Sequence, residues 1–171
     1  MKVRKRHPGI VFLNIIVFFC LILFHGNFES ALSIEHASPF ILLALLTAFA
    51  TYSEVGFAAV AGAVSGAFVD SIAAGSYCFN TIALMLLSVM VCLFSNSVFN
   101  RNLKAAVTLC FIISLIYFIS HWLTFNAFKA SAGDNIEYLL HSALPSALYT
   151  SVFIFPFFFL YRYWNKKRNE N

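Results

Sequence analysis

Charge is scarce in this chain. Asp, Glu, Lys and Arg make up 11% of its 171 residues, against roughly 25% in an average soluble domain. That leaves too few charges for a soluble domain, so any function has to be carried by buried helices and short loops. Cysteine is sparse and poorly spaced for chemistry. Cys20, Cys78, Cys92 and Cys110 all fall in or beside apolar runs and no CxxC occurs, which argues against disulfide staples and a thiolate metal site and for small core residues. Enzyme signatures are missing as well: the chain has no HExxH, no GxSxG and no Walker loop. Glu35 and His36 are neighbours in a loop, but two adjacent residues do not make a site, and the remaining histidines are scattered singly. The expectation is a protein that is not an enzyme and needs no cofactor or metal. Internal repeats and linker-like segments are absent too, so a single domain over 1–171 is expected.

Apolar residues are plentiful, at 61%. They fall into six stretches, about 9–24, 38–52, 55–74, 79–94, 105–125 and 139–161. A helix needs about 20 mainly apolar residues to cross the hydrocarbon core. The pattern therefore predicts an all-α integral membrane protein, a six-helix transmembrane bundle with short loops. The first stretch follows a basic segment, as in a secretory signal. It is long and rich in Phe, no small-x-small cleavage site follows it, and Phe19 precedes Cys20 where a lipoprotein site wants a small residue. An uncleaved first helix fits better. Pro39 suits the first turn of the second helix, and a kink is expected at Pro156 in the last, which also contains Pro145.

The charges assign the sides. With the N-terminus inside, the inner segments hold Lys2, Arg4, Lys5, Arg6, Arg101, Lys104, Arg162, Lys166, Lys167 and Arg168, ten of the eleven basic residues. The outer segments keep Lys129 with Glu29, Glu35, Asp134 and Glu137. This satisfies the positive-inside rule and puts both termini in the cytoplasm. Tyr161, Tyr163 and Trp164 would form an inner aromatic belt, with His121 and Trp122 near the outer end of the fifth helix. The net charge of +4 is thus a topology signal, and nucleic acid is not an expected partner.

The third stretch stands apart. Ala58, Gly62, Gly66 and Asp70 recur at intervals of four and share one face, opposite Phe57, Val60, Val64 and Phe68. Small residues let membrane helices approach closely, so the smooth face is either a packing seam within the chain or a docking face for a second protein. Asp70 continues it, in the outer third of the membrane. An acidic residue costs roughly 2.5–3.5 kcal/mol at the bilayer centre and calls for partners, with Asn80, Thr81 and His121 the candidates. It serves either as a lock on the start of the next helix or in an interaction. No relay of ionisable groups accompanies it, which argues against proton transport.

The stretch from Gly66 through Asp70 to Gly75 and Ser76, then Asn80 and an apolar helix ending near Arg101, resembles the rod shape-determining MreD family. That family shows a small residue four before an Asp, a Gly-Ser turn, a polar residue about ten after the Asp and a basic inner loop. Pro156 and the tail from Arg162 to Arg168 are similar to its last helix. The motif covers about residues 62–101, and the outline of helices and topology covers nearly the whole chain. Where the family commonly has Gly four and eight after the Asp, this chain has Ala74 and Cys78; its common Asn in the last helix is Ser151 here. The resemblance implies a non-enzymatic scaffold subunit of the cell-elongation machinery in the bacterial inner membrane. It would work with an MreC-like protein, a RodA-like glycosyltransferase with its transpeptidase partner and, indirectly, the MreB filament, organising lateral peptidoglycan synthesis. Arg101, Lys104, Arg162, Lys166, Lys167 and Arg168 are its candidate cytoplasmic contacts, and attraction to membrane lipid headgroups is the alternative role for the same charges.

A substrate-binding subunit of an energy-coupling vitamin transporter is the alternative function. It matches in helix number, and Asp70, Asn80 and Trp122 could line a pocket. Those subunits usually carry Ala-xxx-Ala on the first helix, and residues 11–24 here contain no alanine.

Overall fold

The computed structural model describes residue 33 and residues 37–72, 77–97, 103–125 and 139–170. The helix expected over 9–24 and the residues Glu29, Glu35, Arg101, Lys129, Asp134 and Glu137 lie outside the described residues. Within them the chain is helical: α1 Ile41–Tyr52, α2 Val55–Ile72, α3 Phe79–Ser97, α4 Leu103–Phe125, a π-helical stretch Leu139–Ala143, α5 Leu144–Val152 and α6 Ile154–Glu170. Among the described residues three spans are long and apolar enough to cross a membrane: Val55–Ile72, Leu103–Phe125 and His141–Tyr163. Their outward faces are apolar, with Val60 62% and Val64 59% exposed on α2. Large contiguous surfaces of that kind are uncommon on soluble monomers.

Helix α1 falls short of a span. Its 12 residues extend about 18 Å, short of the ~30 Å hydrocarbon core. It begins at Ile41, later than the expected start at Ser38, so Pro39 precedes the helix and does not open it. The reason is local. Ser38, ahead of a proline, is biased towards extended backbone, and Phe40 has ψ 80. The amides of this segment are held from outside: Ser38 N donates to Ser146 Oγ (3.1 Å) and Phe40 N to Thr150 Oγ1 (2.9 Å), both on α5. Non-helical backbone at membrane depth is tolerated only where protein covers it and pairs its polar groups.

Most of α1 is buried, because it lies at the centre of the bundle. One side of it (Leu42, Leu43, Leu46, Ala50) packs with α2, α3 and α4 through Ala58, Leu84, Leu87, Val91 and Ile113. The other (Ala44, Leu45, Ala48) packs with α4 and α6 through Ala106, Cys110, Ile154, Phe158 and Tyr161. A helix apolar all round is a core helix. The carbonyls at its end are met by α3: Ser95 Oγ donates to the Thr51 oxygen and Cys92 Sγ to the Ser53 oxygen, both at 3.3 Å.

The last span is broken at Phe153, whose N–H turns back to the Thr150 carbonyl (3.1 Å). A kink at Pro156 was the expectation, and the break lies three residues before it. Proline lacks an N–H and its ring clashes with the carbonyl four residues earlier, which here belongs to Val152. The disturbance therefore falls on the preceding turn.

Candidate functional site

Two glycines set the geometry of the α2–α3 hairpin. A Cβ on Gly62 would meet Met85 Cα at 2.8 Å and collide with the Leu84 carbonyl; one on Gly66 would collide with the backbone of Asn80 and Thr81. Ala58 is wholly buried, and its carbonyl accepts a hydrogen bond from Ser88 Oγ at 2.8 Å. The smooth face of α2 is therefore filled by α3 of the same chain. Of the two roles for Ala58, Gly62 and Gly66, internal packing is the one the structure shows. The opposite face, with Phe57, Val60 and Val64, is exposed, while Phe68 packs partly into the core.

Close approach brings Asp70, in the last turn of α2, to the first turn of α3. Its Oδ1 accepts from Asn80 N (3.1 Å) and Asn80 Nδ2 (2.9 Å). Its Oδ2 accepts from Thr81 N (2.8 Å) and Thr81 Oγ1 (2.6 Å). The amides at a helix start lack intrahelical acceptors, and a carboxylate there also meets the positive end of the helix dipole. Asp70 thus caps α3 from outside it. Hydrogen bonds to charged groups contribute roughly 1.5–3 kcal/mol each, so the set outweighs the roughly 2.5–3.5 kcal/mol that a carboxylate costs at a bilayer centre.

The lock extends to α4. Tyr117 donates from its hydroxyl to Asn80 Oδ1 at 2.6 Å, and its ring stacks on Phe40 with centroids 4.8 Å apart. Asn80 is 2% exposed, with its side-chain nitrogen on Asp70 and its oxygen on Tyr117. Asp70 and the paired Asn80–Tyr117 thus tie together α2, α3, α4 and the segment entering α1. His121 stands one turn beyond Tyr117. Its ring packs on Phe79 (5.6 Å) and Phe125 (4.8 Å), within an aromatic cluster.

The turn feeding α3 is strained. Tyr77 (φ 43) and Cys78 (φ 60) both have left-handed backbone, which costs roughly 1–3 kcal/mol for each residue other than glycine. The bonds from Asn80 and Thr81 to Asp70 begin two residues after this pair and hold the strained turn in place. Cys78 is the position eight after Asp70.

At the other end of the bundle, Lys104 and Arg162 are exposed. Each follows a residue of one hydrophobic cluster, Leu103 and Tyr161, so two cations far apart in sequence flank the same cluster. Lys166, Lys167 and Arg168 continue in α6. Among the described residues no group of His, Cys, Asp and Glu could hold a metal ion.

Several functional positions had only a weak sequence signal. Tyr117 reads as one more aromatic in an apolar run, and Ser88 as one small polar residue in another. Ser146 and Thr150 sit four apart, a spacing that puts two hydroxyls on one helix face, and that was their only mark. No family model, no curated protein and no solved structure matches the chain.

Proposed function

We propose that this chain is a non-enzymatic membrane scaffold subunit of the bacterial cell-elongation machinery, similar to the MreD family. It would help maintain rod shape by organising lateral peptidoglycan synthesis. In this reading it is a six-helix bundle in the inner membrane with both termini in the cytoplasm. An MreC-like protein, a RodA-like glycosyltransferase and its transpeptidase partner contact it directly, and the MreB filament indirectly.

The observation that carries the proposal is the use made of the polar residues in the motif. Asp70, Asn80 and Thr81 are joined to one another and hold a helical hairpin in shape. Cys78 adds support: its φ of 60 is a conformation that glycine adopts freely, and the family commonly has glycine eight after the Asp. A vitamin-transporter subunit is the weaker reading, because the Asn80 side chain is spent on Asp70 and Tyr117 rather than offered to a ligand.

The test is purification from native membranes in mild detergent, with mass spectrometry of what accompanies the protein. An MreC-like protein with wall synthases is the expected company. ATP-binding cassette subunits in their place would refute the scaffold role.

A further inference from the structure

At the end of the bundle where α1 passes into α2, the last apolar turns of α6 present Phe155 (41% exposed), Phe159 (53%) and Tyr163 (64%). They are spaced by four and so share one outward face. Arg162 stands beside the final member of this stripe and is exposed. Lys104 supplies a second exposed cation from α4, whose Leu103 and Val107 pack into the same cluster as Phe157, Phe158 and Tyr161. Neither cation forms an ion pair with a described residue. Lys104 also sits in the first turn of its helix, where a positive charge opposes the helix dipole, so helix stability does not account for it. Glu54, exposed at the α1–α2 link, is the one acidic side chain described nearby, while α6 continues to Glu170 through Lys166, Lys167 and Arg168.

We infer that Arg162 and Lys104 bind the headgroup of an anionic phospholipid, with an acyl chain lying along the stripe of Phe155, Phe159 and Tyr163. Charge complementarity selects the headgroup, and the adjoining aromatic face selects a molecule with an apolar tail over a purely acidic protein segment. The inference rests on the membrane placement proposed above and not on the scaffold role.

Purified protein in phosphatidylcholine vesicles provides the test. The chain has two tryptophans, so Trp122→Phe leaves Trp164, two positions after Arg162, as the reporter. Its quenching is compared between brominated phosphatidylglycerol and brominated phosphatidylcholine. The expected result is a preference for phosphatidylglycerol that falls by up to about fivefold with each of Lys104→Gln and Arg162→Gln and weakens with salt. Helicity is checked in parallel, and both substitutions lie at exposed positions. Equal quenching by the two lipids would overturn the inference and leave the cations to an acidic protein partner. A preference unchanged in the double variant would overturn it as well, by placing the lipid elsewhere. Neither outcome bears on which proteins accompany the chain from native membranes.

Discussion

Asp70 shows how one carboxylate can be worth its place inside a membrane. Its oxygens accept from two backbone amides and two side chains of α3. Asp70→Ala leaves the two amides at the helix start without that acceptor, and a loss of about 2–4 kcal/mol is expected, read as a lower unfolding temperature in detergent. Asp70→Asn should lose less, since its remaining oxygen still accepts. Tyr117→Phe strips one donor from a buried asparagine oxygen, for about 1–2 kcal/mol in the same assay. Cys78→Gly should act in the opposite direction and stabilise by roughly 1 kcal/mol, because glycine takes a φ of 60 without the Cβ conflict. Sequence reasoning could find Asp70 and its neighbours, because an acidic residue within an apolar run demands partners and Asn80 and Thr81 are polar residues at the start of the next apolar run. Tyr117 was hidden: it enters through the packing of α4, which no local pattern encodes.

At the scale of helices, spacing by four in α2 announced a close contact but not its occupant. Only the glycine geometry separates internal packing from docking. Gly66→Ala should separate α2 from α3 and destabilise the protein by several kcal/mol, as expected of overpacking against backbone. Gly56→Ala, where an added Cβ meets nothing within 4 Å, should be close to neutral; comparing the two by thermal unfolding checks the assignment. The shortness of α1 was not legible. Residues 38–52 read as one mainly apolar run, and composition cannot say that Ser146 and Thr150 will capture the amides of Ser38 and Phe40. Thr150→Val should therefore cost about 1–3 kcal/mol by leaving the Phe40 N–H buried and unpaired, an effect that Thr150→Ser should largely avoid in a side-by-side melt.

For the whole molecule, apolar composition points to the helical membrane class, and the structure adds that the short α1 is buried among α2, α3, α4 and α6. In the described core Asn80, Ser88, Ser95, Ser146 and Thr150 join one element to another. On the proposal that the chain is a scaffold, a molecule built this way would offer its partners a shape, and Asp70 would matter in the cell by keeping that shape.

The most direct measurement replaces the chromosomal gene with the Asp70→Ala variant and records cell shape and the level of the protein in the membrane together. It is repeated with Cys78→Gly added. If Asp70 acts as a lock, rod shape and protein level fall together and the stabilising second change restores both in part. Loss of rod shape with the variant at wild-type level and wild-type thermal stability would contradict this, and would make the carboxylate a contact for a partner or ligand.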